Sequence, residues 1–207
     1  SVSTALARLQ DGLGESFPDS PGTRIIDIAF PLNDAFDPLL WCGQQPQWPQ
    51  FYWQQRNGDE EMAALGAVKS FPSLDAANRF LHQAGRQDLR ICGLNAFAPQ
   101  QGRLVLPRLE WRRCGGRAVM RLVLHSDLSL RDDAMKARDF LASLTTAQAT
   151  PGGVPPLLSE RHSSDYPLWQ AMIDLATQAI AAGDMDKVVL ARATDLQFAA
   201  PLDAVSI

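Results

Sequence analysis

Among the residues that could do chemistry, Lys187 has the widest scope. It lies in the run Gly183-Asp184-Met185-Asp186-Lys187-Val188-Val189-Leu190-Ala191-Arg192-Ala193-Thr194. Gly183 suits a helix C-cap, because glycine enters the left-handed conformation without a Cβ penalty, and the β-branched residues after it favour an extended chain. The lysine is therefore expected at the mouth of a strand. With a two-residue repeat, Lys187, Val189, Ala191 and Ala193 share one face and Val188, Leu190, Arg192 and Thr194 the other, so the two cations point opposite ways. On residue type alone, a lysine beside an aspartate at a strand start is a solvated surface group.

The remaining polar groups offer less. His82, His125 and His162 are isolated from one another, with no His-x-x-x-His spacing, no paired carboxylates at ligand spacing and no glycine-rich phosphate loop. Asp132-Asp133 falls at an expected helix N-terminus, where the helix dipole favours negative charge, and Asp59-Glu60-Glu61 falls beside a turn. Both are read as solvated surface. Cys42, Cys92 and Cys114 are far apart and lack Cys-x-x-Cys spacing, so they read as reduced thiols and signal neither a disulfide framework nor a zinc site.

The elements that must position these groups follow from periodicity and punctuation. Leu6, Leu9 and Leu13 predict a helix over 3–13 with Ser3 as its cap. A strand is expected over 24–30 and a short helix over 37–45. Phe51 to Arg56 reads as a strand entering an Asn57-Gly58 turn with two positive φ angles, and Glu61 to Lys69 returns as its partner. Ser73 caps a helix through Ala84 that places Leu74, Ala77, Phe80 and Leu81 on one face and stops at Gly85. Leu89–Phe97, Leu104–Arg113 and Arg117–His125 then predict a β-meander, with Gly115-Gly116 turning between the last two. Asp127 or Ser129 caps a helix to Leu144, with Met135, Phe140 and Leu141 on its inner stripe. Residues 145–164, rich in proline, glycine and small polar residues, read as a connector. Trp169, Met172, Ile173, Ala176 and Ile180 define a long helix ending at Gly183, and Pro201–Ile207 reads as the start of another.

The chain has 207 residues, 46% hydrophobic and 20% charged, enough for one large or two small cores. A net charge of -4 without a basic block argues against nucleic acid as a partner. No apolar run approaches the ~18 residues that span a bilayer, so no membrane association and a cytoplasmic location are expected.

The segment from the long helix through Gly-x-x-x-Lys-Val-Val-Leu-Ala-Arg resembles the opening of the chorismate-binding domain of isochorismate, anthranilate, salicylate and aminodeoxychorismate synthases. Phe51-Tyr52-Trp53 with Arg56, Gly58 and Leu65-Gly66 is a second point of likeness. A third is Gly93-Leu94-Asn95-Ala96-Phe97 leading to Leu106-Pro107-Arg108-Leu109-Glu110-Trp111. These segments occur in the order found in the menaquinone-pathway isochorismate synthases, and the likeness covers essentially the whole chain. Where that family often has aspartate after Asn-Ala-Phe, this chain has Ala98.

The resemblance implies an α+β fold of large, mostly antiparallel sheets with helices outside, incomplete in this chain. Residues 1–150 would form a scaffold half, 151–163 a connector and 164–207 the start of a truncated catalytic domain. It implies chorismate as substrate, hydrated at one ring carbon while hydroxyl leaves another. Lys187 would be the general base on water, which requires a neutral amine and hence desolvation or a neighbouring cation. The glutamates serving as general acid and as Mg²⁺ ligands are expected beyond Ile207, with neither metal-binding nor cofactor-binding residues in the chain itself, so the chain is read as an inactive N-terminal fragment. Two alternatives remain: another chorismate enzyme, or residues 1–150 as a self-standing binding or regulatory module.

Overall fold

The computed structural model describes residues 1–33, 35–98, 100–148 and 150–207, and of Cys114 only the backbone. The chain forms two units, Ser1–Thr150 and Pro151–Ile207.

In the first unit the order is α1 (Val2–Gly12), β1 (Gly22–Pro31), α2 (Pro38–Gly43), β2 (Gln50–Gln54), β3 (Glu60–Leu65), β4 (Lys69–Phe71) and α3 (Leu74–Ala84). Then follow β5 (Cys92–Asn95), β6 (Gly102–Leu106), β7 (Leu109–Cys114), β8 (Arg117–Ser126) and α4 (Leu130–Ala142). A five-stranded antiparallel sheet has the order β1-β8-β7-β3-β2, and a second sheet the order β4-β6-β5. The second unit is an antiparallel pair, β9 (Leu157–His162) with β10 (Thr194–Phe198), separated in sequence by α5 (Tyr166–Ala182).

Side-chain caps fix the helix starts. Asp37 Oδ1 accepts from the N–H groups of Leu39 and Leu40, Ser73 Oγ from Ala76, Ser129 Oγ from Asp132 and Asp165 Oδ1 from Leu168. For α1 the cap is Ser1, whose Oγ accepts from Thr4 N, not Ser3. The inner stripe of α1, Val2, Ala5, Leu6 and Leu9, joins that of α4, Leu130, Ala134, Ala137, Phe140 and Leu141, against Leu109, Trp111, Met120, Leu122 and Leu124 of the large sheet. Met135, expected on an inner face, is exposed because it lies about 100° round α4 from Ala134, away from the buried stripe, and Leu74, at the very start of α3, is exposed as well. On the other side of the sheet, Val123 packs with Phe71, Ala77, Leu89, Leu104 and Leu106, and Met62 and Ala64 with Cys92. Met120 through Leu124 are consecutively buried. Both faces of β8 are covered, so continuous burial replaces alternation there, with Arg121 a charged residue inside the run.

The meander is corrected. Leu104–Arg113, expected as one strand, is two strands in two sheets. Pro107 has no N–H to donate to a ladder, and Arg108 already carries the chain into the large sheet, its N–H reaching Leu65 O and its carbonyl accepting from Val123 N. β7 and β8 do form the expected hairpin, with φ +53° at Gly115 and +28° at Gly116. The Asn57-Gly58 turn differs. Only Gly58 has positive φ, and Gln55 N–H to Glu60 O closes a longer loop than the two-residue turn expected.

In the second unit the segment read as a connector contains β9. The strand expected from Lys187 to Thr194 is irregular until Thr194, where pairing with β9 begins. A β-branched run becomes a strand only where a partner takes its N–H and C=O groups, and among the described residues 187–192 have no such ladder. Pro201–Ile207 is likewise not helical.

Candidate functional site

Lys187 is placed by the end of α5. Gly183, at φ +79°, closes the helix: its N–H reaches Ile180 O at 3.1 Å and Asp184 N–H reaches Ala179 O at 3.0 Å, the pair of hydrogen bonds that stops a helix sharply. The chain then runs irregularly through Lys187 into β10. Lys187 is exposed, and among the described residues its Nζ has no hydrogen-bond or ion-pair partner. A lysine acts as base only when its amine is neutral, which burial or a nearby cation favours, and the Lys187 side chain is open to solvent here.

Several of the residues that carried the likeness make structural contacts within the first unit. Gly93 lies at φ +150° where β5 passes β6, and a Cβ there would stand 2.0 Å from Arg103 O, so no other residue fits. Tyr52 donates from its hydroxyl to Glu61 Oε1 at 2.7 Å, while Arg113 Nη2 lies 2.9 Å from Glu61 Oε2. Burial and this carboxylate together push the Tyr52 phenol well above its ordinary range.

Arg108, from Leu-Pro-Arg, holds Asp133 with two parallel bonds of 2.7 Å and donates also to Val123 O at 3.0 Å. Asp133 accepts a third bond from His125 N at 2.9 Å. The reading of Asp132-Asp133 and Asp59-Glu60-Glu61 as solvated surface is thus corrected at two positions: Asp133 and Glu61 are buried. The available signal was an arginine inside an otherwise apolar strand pair, since a buried guanidinium requires an anion.

A further charged group lies between the two sheets. Arg121 binds Asp27 through Nε and Nη2 at 2.8 and 2.7 Å and Asp88 O through Nη1 at 2.6 Å. Arg90 pairs with Glu60 at 2.8 Å. Glu110 is fully buried, and burial pushes its pKa up to about 7.

The histidines stay apart. His125 Nδ1 lies 2.8 Å from Thr23 Oγ1 and Nε2 3.3 Å from Asp127, with burial pulling its pKa down; His82 contacts Asn78 O, and His162 contacts Thr194 and Glu160. Among the described residues no three His, Cys, Asp or Glu side chains converge as a metal site. Cys42 and Cys92 are buried free thiols, raised by burial to about 11 and about 12. The side chain of Cys114 lies outside the described residues. A groove of about 900 Å³ opens between β2 and β3 on one side and the small sheet on the other, with Phe51, Phe71, Leu94 and Leu104 in its walls. Among the described residues no helix is long and apolar enough to cross a membrane.

A profile of the family described as chorismate binding enzyme matches residues 94–207, more than half of the chain. This chain belongs to the chorismate-binding enzymes. It is 54% identical over its whole length to the isochorismate synthase MenF of Escherichia coli K12, of which it covers 48%. It is 28% identical, over 83% of its length, to MenF of Haemophilus influenzae, and 30% identical, over 87%, to MenF of Pasteurella multocida. The solved structure of the menaquinone-specific isochorismate synthase MenF of E. coli superposes with a TM-score of 0.89 and 55% identity, covering 99% of this chain and 48% of that one. The mixed α+β fold with antiparallel sheets is therefore that of a chorismate-binding enzyme, in a chain that spans about half the length of the relatives it matches.

Proposed function

We propose that the protein to which this chain belongs converts chorismate to isochorismate, adding water at one ring carbon and expelling hydroxyl from another, as a step of menaquinone biosynthesis in the cytoplasm. The observation that carries this reading is the match at 54% identity along all of the chain to a relative named isochorismate synthase.

In this reading Lys187 takes the proton from the attacking water. Because the side chain is exposed in these 207 residues, the role requires further protein surface to close over it and desolvate its amine. Residues 1–150 are the scaffold half, 164–207 open the catalytic half and 151–163, which include β9, join them. Mg²⁺ is expected of such an enzyme, but among the described residues no ligand set fits it. In this reading the metal's ligands and the general acid come from outside these 207 residues. The 207 residues alone are accordingly expected to turn over no chorismate.

Supplying full-length protein with chorismate, with and without ammonia, tests the proposal through the product. Isochorismate in both cases supports it, while anthranilate or salicylate assigns the protein to another branch of the family.

A further inference from the structure

Glu110 differs from the other buried carboxylates described above. Asp133 and Glu61 each have an arginine and a further donor. Neither oxygen of Glu110 has a hydrogen-bond partner among the described residues, although the residue is fully buried. Arg112, on the same strand, comes no nearer than 3.5 Å, and its Nε is also without a partner.

Arg112 stays at ion-pair distance without hydrogen-bonding Glu110, and the two other nearby cations are engaged elsewhere. Arg121 lies opposite Glu110 in the β7–β8 ladder but is committed to Asp27 on β1 and to the Asp88 carbonyl. Arg90, ahead of β5, is tied to Glu60. On the β3 side Glu110 faces Ala64, which packs with Met62 and with Cys92 of β5, so on that side the carboxyl meets apolar groups and a thiol that donate nothing to it. A carboxylate without donors is costly in such a place, whereas the neutral acid is tolerable.

We propose that Glu110 is a pH-sensitive latch between the two sheets of the first unit: with its proton it allows the three-stranded sheet to close on the five-stranded one, and without it the layers part more readily. The proton leaves to water, and no other reactant is needed. Burial raises the group from 4.5 to about 7, opposed by Arg112, Arg121 and Arg90 and assisted by Asp27. A raised acid stabilises the closed state fully below its open-state value and loses that contribution as pH rises to the closed-state value. Closure therefore weakens between pH 4.5 and about 7 and levels off above.

Hydrogen exchange at β5 and β6 amides of the full 207-residue chain, corrected for the intrinsic pH dependence of exchange, reads the latch directly. The opening equilibrium should rise on the order of 100-fold from pH 5 to pH 8 in the wild type and stay flat in Glu110→Gln. A wild type with no slope, or a variant that keeps the slope, overturns the proposal. Should Glu110→Gln not fold, the Glu110 Cδ chemical shift of the wild type decides: a midpoint near neutrality supports the latch, and one in the ordinary carboxylate range overturns it.

Discussion

Helices α4 and α5 have comparable sequence signals and opposite surroundings. Each has a polar N-cap and apolar residues at three- and four-residue steps. α4 buries Leu130, Ala134, Ala137, Phe140 and Leu141 against the large sheet, whereas α5 buries none of its residues, and its Leu175 is 70% exposed. The same contrast separates β8, covered on both faces, from β9, whose six residues are all exposed. Periodicity sets which residues form a helix and which face it offers. Burial depends on whether a second surface is there to meet that face. The first unit buries the apolar faces that its elements offer, and the second, which carries Lys187, leaves apolar residues of α5 and β9 exposed.

The sharpest break of that contrast is at Lys187 itself. In the full-length protein, Lys187→Ala should lower turnover of chorismate by roughly 10²–10⁴-fold, the usual worth of a general base, with chorismate affinity nearly unchanged. Steady-state kinetics with a binding titration check this, and near-normal turnover would remove the base assignment.

Next comes the buried ion pair of the scaffold. Asp133→Ala strands Arg108 among apolar groups and should cost about 3–5 kcal/mol in urea unfolding. Arg161→Ala, which breaks the exposed Arg161–Asp195 pair between β9 and β10, should leave the midpoint where it is. Equal effects from the two would erase the difference between the units.

Packing gives a matched pair of similar scale. Leu122→Ala in β8 should destabilise the 207-residue chain by about 2–5 kcal/mol, and Leu175→Ala in α5 by less than about 0.5 kcal/mol. In the full-length protein the second figure should rise if α5 is covered there, which sharpens the comparison.

The smallest effect is expected in acid. Lys69 holds Asp127 below its ordinary range, and Arg86 does the same for Asp88. A lowered carboxylate contributes stability above its unfolded value of 3.8 and loses it as pH falls through the folded one. Both carboxylates are largely exposed, so Lys69→Ala should flatten the acid limb of a melting-temperature profile only slightly.

Local signals were legible in the sequence and long-range ones were not. Asp37 and Ser73 mark their helix starts, and Gly85 and Gly183 their helix ends, because a cap involves groups only a few residues apart. Gly115-Gly116 marks its hairpin for the same reason. The division of 104–113 between two sheets depends on where Leu65 and Val123 lie, far off in sequence. Asp133 and Glu61 read as surface because their partners, Arg108, Tyr52 and Arg113, reach them only through the assembled sheet. Lys187 was singled out by its neighbours in sequence, and its expected strand failed because strand formation needs a partner that periodicity does not supply.

The passage from β6 to β7 through Pro107 and Arg108 makes one short joint serve two layers. Deleting a single residue there would turn Leu109 and Trp111 toward the three-stranded sheet and bring Glu110 and Arg112 toward the helices, while leaving β6 in place. Length at this joint should consequently tolerate far less variation than at the loop around Gly58, where added residues would only lengthen a solvent-facing bend.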